Sequence, residues 1–178
     1  PHQPLRLQAL ADSKVLYMAV PQLSRQRCFV ELTAAVLEAK GISLSAAASM
    51  KGALHHGQLV TFDEMQPIDL VIVGCVAVAR NGGRTGKGAG FADLELAMLR
   101  ECKLISENTP IATTVHDLQI VDPAEVPMQA HDWGLDLVVT PTQCFVIDNL
   151  HPKPAGLDWD IIQPDQLDNI PILQTWAK

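Results

Sequence analysis

The pattern of apolar and polar positions predicts a strand, a loop and a helix in the middle of the chain. Residues 70–79 are apolar and rich in β-branched side chains on both parities, which is typical of a strand that is buried on both faces. After Gly90, apolar side chains recur at helical spacing and predict an amphipathic helix: Leu94, Ala97, Met98 and Cys102. Residues 81–90, the glycine loop, connect the two and contain five glycines, Arg84 and Lys87.

Other apolar runs extend this alternation along the chain. They predict strands at residues 15–20, 111–115 and 135–141. Helical spacing predicts the end of a helix at residues 5–10 and a helix at residues 29–40 that stops at Gly41, whereas residues 43–57 are ambiguous. Strands separated by helical or looping crossovers indicate an α/β domain with a mostly parallel sheet.

Polar residues follow two of these predicted strands at their carboxyl ends. The glycine loop follows residues 70–79, and His116 and Asp117 follow residues 111–115. Open α/β sheets bind their ligands outside the carboxyl ends of the strands. We therefore expect one cleft to collect these groups.

The glycine loop has the composition of an anion-binding segment. Glycines let the backbone N–H groups turn toward a ligand, and the start of a helix is the positive end of its dipole. The loop is not a Walker A sequence, because Asn81 stands in place of the first glycine and Gly88 in place of the final Ser or Thr. It is not the dinucleotide fingerprint either, since Phe91 replaces the third glycine. Phosphate binding is one interpretation, and a mobile surface turn is the other.

Composition narrows the class of protein. The chain has 178 residues, 48% hydrophobic residues and a formal net charge of −7, so one soluble domain is expected, as a monomer or homodimer. The acidic balance argues against nucleic acid as the main partner, despite a basic patch at Arg80, Arg84 and Lys87. No apolar run predicts a membrane span, and the first residues do not resemble a signal peptide. Four cysteines without a CxxC pair are typical of a reduced, cytoplasmic protein.

Two side-chain pairs bear on possible metal sites. His55 and His56 are adjacent, so their side chains point in different directions, and no third ligand lies nearby in the sequence. Asp93 and Glu95 are about 200° apart around a helix, so they share one site only if the helix begins late. By itself Asp93 is either a ligand or a carboxylate that the helix dipole stabilises.

The glycine loop also resembles a family signature. Residues 82–93 carry glycines at alternate positions and end in an aspartate: Gly82-x-Arg84-x-Gly86-x-Gly88-x-Gly90-x-x-Asp93. This resembles the signature of the 5-formyltetrahydrofolate cyclo-ligase family, also called methenyltetrahydrofolate synthetases. Residues 74–78 and 86–95 are closest to its methenyltetrahydrofolate synthetase domain-containing branch. The resemblance implies a three-layer α/β/α fold with a mostly parallel central sheet, NagB/RpiA/CoA-transferase-like, over residues 1–178.

The resemblance extends to both ends of the chain. It implies a basic helix before residue 5 that this sequence does not contain, so we expect the family's N-terminal segment to be missing. Residues 152–156 resemble the family's proline-lysine-proline-x-glycine turn, which a short final helix follows.

The resemblance implies an ATP- and Mg²⁺-dependent ligase of one-carbon metabolism. ATP phosphorylates the formyl oxygen of 5-formyltetrahydrofolate, N10 closes on the activated carbon, and 5,10-methenyltetrahydrofolate forms. Phosphoryl transfer of this kind depends on positioning and charge neutralisation. Arg84 and Lys87 are the candidates to hold phosphate oxygens, and Asp93 is the candidate Mg²⁺ ligand, with Asp132 as a second one.

The remaining candidate residues also come from this resemblance. His131 and Asp132, with Gln119 before them and Asp136 after, match a family pattern, and His131 would shuttle a proton or hold phosphate. The other reading is that His131 caps its loop while the aspartates accept backbone hydrogen bonds. The predicted nucleotide-binding residues are Gly86, Gly88, Ala89, Gly90, Gln119 and His116.

Departures from the family pattern keep a second function open. Typical cyclo-ligases have two tyrosines before the signature aspartate and an arginine after it, whereas this chain has Phe91, Ala92 and Leu94. The phosphate loop is kept while the contacts to a folate-like substrate are altered. The alternative is a non-catalytic or repurposed member that binds a nucleotide or a phosphorylated metabolite, including a thiamine-related one. An RNA-binding module is disfavoured, because no strand carries RNP-like aromatic residues.

Overall fold

The computed structural model describes residues 2–148 and 151–177. The chain forms two compact units, one made of Pro1–Met65 with Ile161–Lys178 and the other of Gln66–Asp160. We refer to them as the first and second units. Helices and strands occur in both, so the α/β class is confirmed. The prediction of a single domain over residues 1–178 stays a prediction.

The helices and strands follow one another in short segments. The helices are α1 (Gln3–Ala11), α2 (Ala34–Ala39), α3 (Leu44–Ala47), α4 (Met50–His56), α5 (Phe91–Glu101), α6 (Pro164–Asn169) and α7 (Pro171–Trp176). The strands are β1 (Leu16–Ala19), β2 (Phe29–Leu32), β3 (Gln58–Val60), β4 (Val71–Ile72), β5 (Ala77–Ala79), β6 (Arg84–Thr85), β7 (Ile111–Thr114), β8 (Ile120–Val121), β9 (Leu137–Val139) and β10 (Cys144–Val146).

The first unit is built on an antiparallel sheet with strand order β1-β2-β3. The predicted helix at residues 29–40 is wrong in its first half, because Phe29–Leu32 form the central strand of this sheet. Only Ala34–Ala39 are helical, and the side chain of Thr33 caps them by accepting a hydrogen bond from Val36 N. Pairing with strands on both sides overrides the helical spacing of these residues. Gly41 ends the helix with φ +67°, as predicted.

Residues 43–57, which were ambiguous in sequence, form α3 and α4. A serine caps each helix, since Ser43 accepts from Ala46 N and Ser49 accepts from Gly52 N. The rings of His55 and His56 pack edge to face at the end of α4, with 4.6 Å between their centroids.

The second unit contains two sheets. In the four-stranded sheet, with order β10-β9-β7-β4, strands β4, β7 and β9 are parallel and β10 is antiparallel to β9. In the three-stranded sheet, with order β6-β5-β8, strand β5 is parallel to β8 and antiparallel to β6. The strands predicted at residues 15–20, 111–115 and 135–141 are confirmed as β1, β7 and β9.

The apolar run at residues 70–79 is not a single strand, in contrast to the prediction. Its first part, β4, pairs with β7, and its last part, β5, pairs with β6 and β8 in the other sheet. The break falls at residues 73–76, where Val73 N bonds to Ala112 O and Val76 N bonds to Thr85 O. Both sheets bury apolar residues, so residues 70–79 are apolar throughout and their hydrophobic pattern does not show where one strand ends and the next begins.

The helix predicted after Gly90 is confirmed as α5. Three of the four predicted apolar side chains are buried, and the fourth, Cys102, is half-buried beyond the last turn. The buried side chains of the helix are Leu94, Leu96, Ala97, Met98 and Leu99. Arg100 lies in the last turn, where a cation complements the helix dipole.

A buried lysine connects the last part of the second unit to its central strands. Lys153 Nζ lies 2.9 Å from Asp136 Oδ2 and donates to the carbonyl oxygens of Glu107 (3.0 Å) and Thr109 (2.8 Å). The same Asp136 oxygen accepts from Ile111 N at 2.7 Å, at the start of β7. The lysine of the proline-lysine-proline turn therefore binds to protein groups and stabilises this end of β7.

We predict that Lys153→Met lowers the free energy of unfolding by about 3 kcal/mol, because it leaves Asp136 half-buried without its cation. Urea unfolding measures this change. Lys51→Met removes an exposed lysine of α4 and is the control, with an expected change below about 0.5 kcal/mol. Equal stabilities of the two variants would contradict the proposed role of Lys153.

Candidate functional site

The candidate site lies where the hairpin of β5 and β6 leads into α5. Residues 86–90 are exposed, and Gly88 and Gly90 have φ values of +87° and +66°. Gly90 is the N-cap of α5, and its left-handed conformation turns the chain into the helix. A side chain at this φ would strain the backbone, so the glycine is required by the turn.

Arg84 faces inward, away from solvent. Its side chain is only 3% exposed, and Nε donates to Trp133 O at 2.8 Å. Its Nη2 donates to Asp93 Oδ1, so the guanidinium and the carboxylate form an ion pair. The same oxygen also accepts from Trp133 N at 2.9 Å. Arg84, Asp93 and Trp133 therefore join β6, the first turn of α5 and the segment before β9.

Lys87 is the outward-facing cation of the glycine loop. It is exposed, and it has no hydrogen bond or ion pair with any residue in the part of the chain that the structure describes. It lies between Gly86 and Gly88, where a Cβ atom at either glycine would meet nothing within 4 Å. The space around this segment is open to a ligand.

His131 and Asp132 lie within electrostatic range of Asp93. Burial raises the pKa of Asp93. The charge of Arg84 and the hydrogen bond from the Trp133 amide oppose that shift. Asp132 raises the pKa of Asp93 further, whereas His131 lowers it. His131 Nε2 is 3.7 Å from Asp132 Oδ1, and Asp132 Oδ2 accepts from Gln129 N at 2.7 Å. The structure thus brings together Asp93, Asp132 and His131, three of the predicted site residues.

Glu95 belongs to the same electrostatic cluster. Burial raises its pKa to about 7, with Arg84 lowering it and Asp93 raising it. The helix begins at Phe91, as predicted, yet both carboxyls lie in the field of Arg84. The two carboxyls act on each other electrostatically, and the prediction that they do not face one site stays a prediction. The position of Glu95 in the first two turns of α5 was the sequence signal that could have identified this residue.

Gln119 and His116 form a hydrogen-bonded turn that is connected to the glycine loop. Gln119 Nε2 donates to the carbonyl oxygens of Cys75 (3.0 Å) and Val76 (2.9 Å), and its Oε1 accepts from His116 N at 2.8 Å. His116 Nδ1 accepts from Leu118 N. Val76 N in turn donates to Thr85 O, so the turn is tied to the start of the exposed segment. The nucleotide-binding role of both residues stays a prediction.

Cys75 and Thr113 lie at the carboxyl ends of β4 and β7. Burial raises the pKa of the Cys75 thiol, and a hydrogen bond with Thr113 lowers it. The charge of Arg84 also lowers this pKa, whereas that of Asp93 raises it. Thr113 is fully buried and donates to Val73 O at 2.7 Å. The thiol is therefore protonated at neutral pH, which disfavours a role as a nucleophile.

Asp117 is held by two hydroxyl groups. Its Oδ1 accepts from Thr140 at 2.5 Å and from Thr142 at 2.7 Å, and these hydrogen bonds lower its pKa. They join the turn at residues 117–119 to the end of β9. The carboxylate has a structural role in the second unit.

The carboxylate and histidine side chains of the site determine which kind of metal ion could bind there. Among residues 2–148 and 151–177, no group of three or more His, Cys, Asp or Glu side chains is placed to hold a metal ion. Mg²⁺ sites commonly use one or two carboxylates, with waters and phosphate oxygens completing the shell. Asp93 and Asp132 fit a site of that kind. Over the same residues, no helix is both long and apolar enough to cross a membrane.

Comparison with known proteins gives consistent matches. A model of the 5-formyltetrahydrofolate cyclo-ligase family matches residues 1–141. Methenyltetrahydrofolate synthase domain-containing proteins of Bos taurus and Homo sapiens are each 37% identical over 175 residues, which is 98% of this chain and 46% and 45% of theirs. A 5-formyltetrahydrofolate cyclo-ligase of Mycolicibacterium smegmatis is 32% identical over 78 residues, 44% of this chain and 36% of that protein. The chain spans about half the length of the first two relatives.

We predict that Glu95→Gln changes how stability depends on pH. The folded state holds this proton up to about pH 7, whereas the unfolded state releases it near 4.5, so wild-type stability falls as pH rises between these values. The variant lacks this decrease. The free energy of unfolding of the variant minus that of the wild type should therefore be larger at pH 8 than at pH 4, by up to about 3 kcal/mol.

Urea unfolding between pH 4 and pH 8 checks this prediction. Glu38→Gln, which removes an exposed carboxyl of α2, is the control and should leave the pH profile unchanged. Parallel profiles of Glu95→Gln and the wild type would show that Glu95 has an ordinary pKa.

Proposed function

The chain belongs to the 5-formyltetrahydrofolate cyclo-ligase family, as its glycine motif predicted, and we propose that its second unit binds ATP and Mg²⁺ for a reaction of this type. The observation that carries the proposal is the open segment of residues 86–90 leading into α5, with Lys87 outward and Asp93 in the first turn. An exposed cation and the backbone N–H groups at a helix start are what a phosphate group requires.

The proposed reaction uses a folate-related small molecule. With ATP and Mg²⁺ bound, the nucleotide supplies the phosphoryl group that converts the formyl oxygen of 5-formyltetrahydrofolate into a leaving group. N10 closes on the formyl carbon, and the products are 5,10-methenyltetrahydrofolate, ADP and phosphate. The family match supports this substrate class, and the cyclo-ligase from Mycolicibacterium smegmatis supports the reaction type.

Each part of the site has a role in this proposal. Lys87 neutralises phosphate oxygens as a point charge, and the backbone of residues 86–90 surrounds them. Asp93 and Asp132 would hold the cation through carboxylate oxygens. His131, 3.7 Å from Asp132, is the candidate to hold or transfer a proton.

Three positions next to Asp93 shape the substrate side. Phe91 and Ala92 are half-buried, and Leu94 is 8% exposed on the buried face of α5. The resemblance places two tyrosines and an arginine here in typical cyclo-ligases, so the hydroxyl and guanidinium contacts are absent from these positions. We propose that the folate ring is held by other groups in this chain. The parallel pairing of β4, β7 and β9 supports the family's three-layer arrangement.

The test is the appearance of the methenyl product by absorbance. The full chain is mixed with ATP, Mg²⁺ and 5-formyltetrahydrofolate, and Asp93→Asn, which keeps the side-chain volume, is the matched control. Product formation that the control abolishes would support the proposal. Absence of product, with ADP binding still measurable by calorimetry, would contradict turnover and favour a member that binds a nucleotide or phosphorylated metabolite without this reaction.

We predict that Lys87→Ala weakens ADP binding about tenfold or more, because one charge-assisted contact contributes roughly 1.5–3 kcal/mol. The free energy of unfolding should change by less than about 0.5 kcal/mol, since the side chain is exposed. Calorimetry and urea unfolding measure the two quantities.

The matched control is Arg80→Ala. Arg80 is exposed, bonds to Gln143 at 2.8 Å and lies over the ring of Phe145 with 5.0 Å to its centroid, so its loss should leave ADP affinity unchanged. Unchanged affinity in Lys87→Ala would remove this lysine from the site.

A further inference from the structure

The two cations of the glycine loop differ in their access to a ligand. Lys87 is exposed, whereas the Arg84 side chain is 3% exposed and directs two of its N–H donors to Trp133 O and Asp93 Oδ1. Three further N–H donors of the guanidinium are not used by these contacts, but the side chain is 3% exposed. A phosphate group that drew Arg84 away from Asp93 would leave a half-buried carboxylate without its cation. That cost is several kcal/mol for a buried ion pair.

The two oxygens of Asp93 also differ. Oδ1 accepts from Arg84 and from Trp133 N, so its hydrogen-bonding capacity is used within the protein. Oδ2 has no hydrogen bond with the residues that the structure describes, and the side chain is 23% exposed. One oxygen is therefore anchored and the other is left for an external group.

We propose that Arg84 is a positioning residue: it anchors Oδ1 of Asp93, so that Oδ2 alone meets the divalent cation that accompanies the nucleotide. The inference rests on the proposed function, since it assumes a nucleotide and Mg²⁺ at this site. It replaces the direct phosphate contact that the sequence predicts for Arg84. Groups that orient a metal ligand typically change metal affinity 10–100-fold when they are removed.

The two roles of Arg84 predict different metal dependence. A phosphate ligand contributes to ADP affinity whether or not Mg²⁺ is present. A residue that positions Asp93 contributes only to the increase in affinity that Mg²⁺ produces. The ratio of the ADP dissociation constant in EDTA to that in Mg²⁺ separates them.

The experiment is calorimetric titration of ADP into the full chain, in Mg²⁺ and in EDTA. In Arg84→Lys, which keeps the charge but not the planar fork, the ratio should fall about tenfold or more, while the dissociation constant in EDTA changes less than about twofold. Asp93→Asn should show the same pattern, and the double variant should add nothing further. Lys87→Ala is the opposite control, because its affinity should fall in both buffers.

Several results would overturn the inference. Equal weakening by Arg84→Lys in EDTA and in Mg²⁺ would make Arg84 a phosphate ligand. A wild-type chain that forms the methenyl product and binds ADP equally in both buffers would overturn the positioning role while leaving the proposed function intact. No ADP binding in either buffer would overturn the proposed function, and the inference with it.

A measurement on the wild type covers the case in which Arg84→Lys does not fold. The Nε–H resonance of Arg84, labelled with ¹⁵N and assigned through its bonded network, reports its hydrogen bond to Trp133 O. We expect its shift and exchange protection to remain unchanged when ADP is added in EDTA. Loss of protection on adding ADP would show that the guanidinium leaves Trp133 for the ligand.

Discussion

The buried ion pair of Arg84 and Asp93 is the interaction on which the candidate site depends. It joins a two-residue strand to the first turn of α5, and the backbone of Trp133 completes it from a third segment. The strand β6 has only two residues, so its backbone hydrogen bonds alone fix its position poorly. A buried pair of this kind contributes little net stability compared with apolar packing, but removing one partner is costly, so it specifies one arrangement.

This arrangement separates two electrostatic tasks within a few residues of the chain. The inward arginine compensates a carboxyl that burial would otherwise neutralise, and the outward Lys87 remains available to an anion. Asp132 adds negative charge near Asp93, and Glu95, whose pKa burial raises to about 7, lies near the same arginine. Carboxyls crowded in this way raise one another's pKa values, and a bound cation would relieve that repulsion. This arrangement is the basis of the proposal that phosphate and a divalent cation bind side by side at the start of α5.

The glycines and the signature aspartate predicted the family, and the family match confirms it, while the roles of the site residues stay predictions. Sequence reasoning did not identify the partner of Arg84, because Trp133 contributes backbone atoms, which carry no sequence signal. It placed Glu95 on another face of the helix from Asp93 and did not reveal the burial that raises the pKa of Glu95. Gln119 was expected to meet a nucleotide, and the structure shows its amide bonded to Cys75 and Val76.

The sequence by itself determined the local elements: the helix after Gly90, the strands β1, β7 and β9, and the turn at Gly41. Hydrophobic period and backbone permissiveness are local properties, so they can be read from neighbouring residues. Only the tertiary structure decided that residues 70–79 divide between two sheets and that residues 29–32 form a strand. It also decided which way each charge of the glycine loop faces. Those outcomes depend on partners distant in sequence, whose pairing and burial no local pattern encodes.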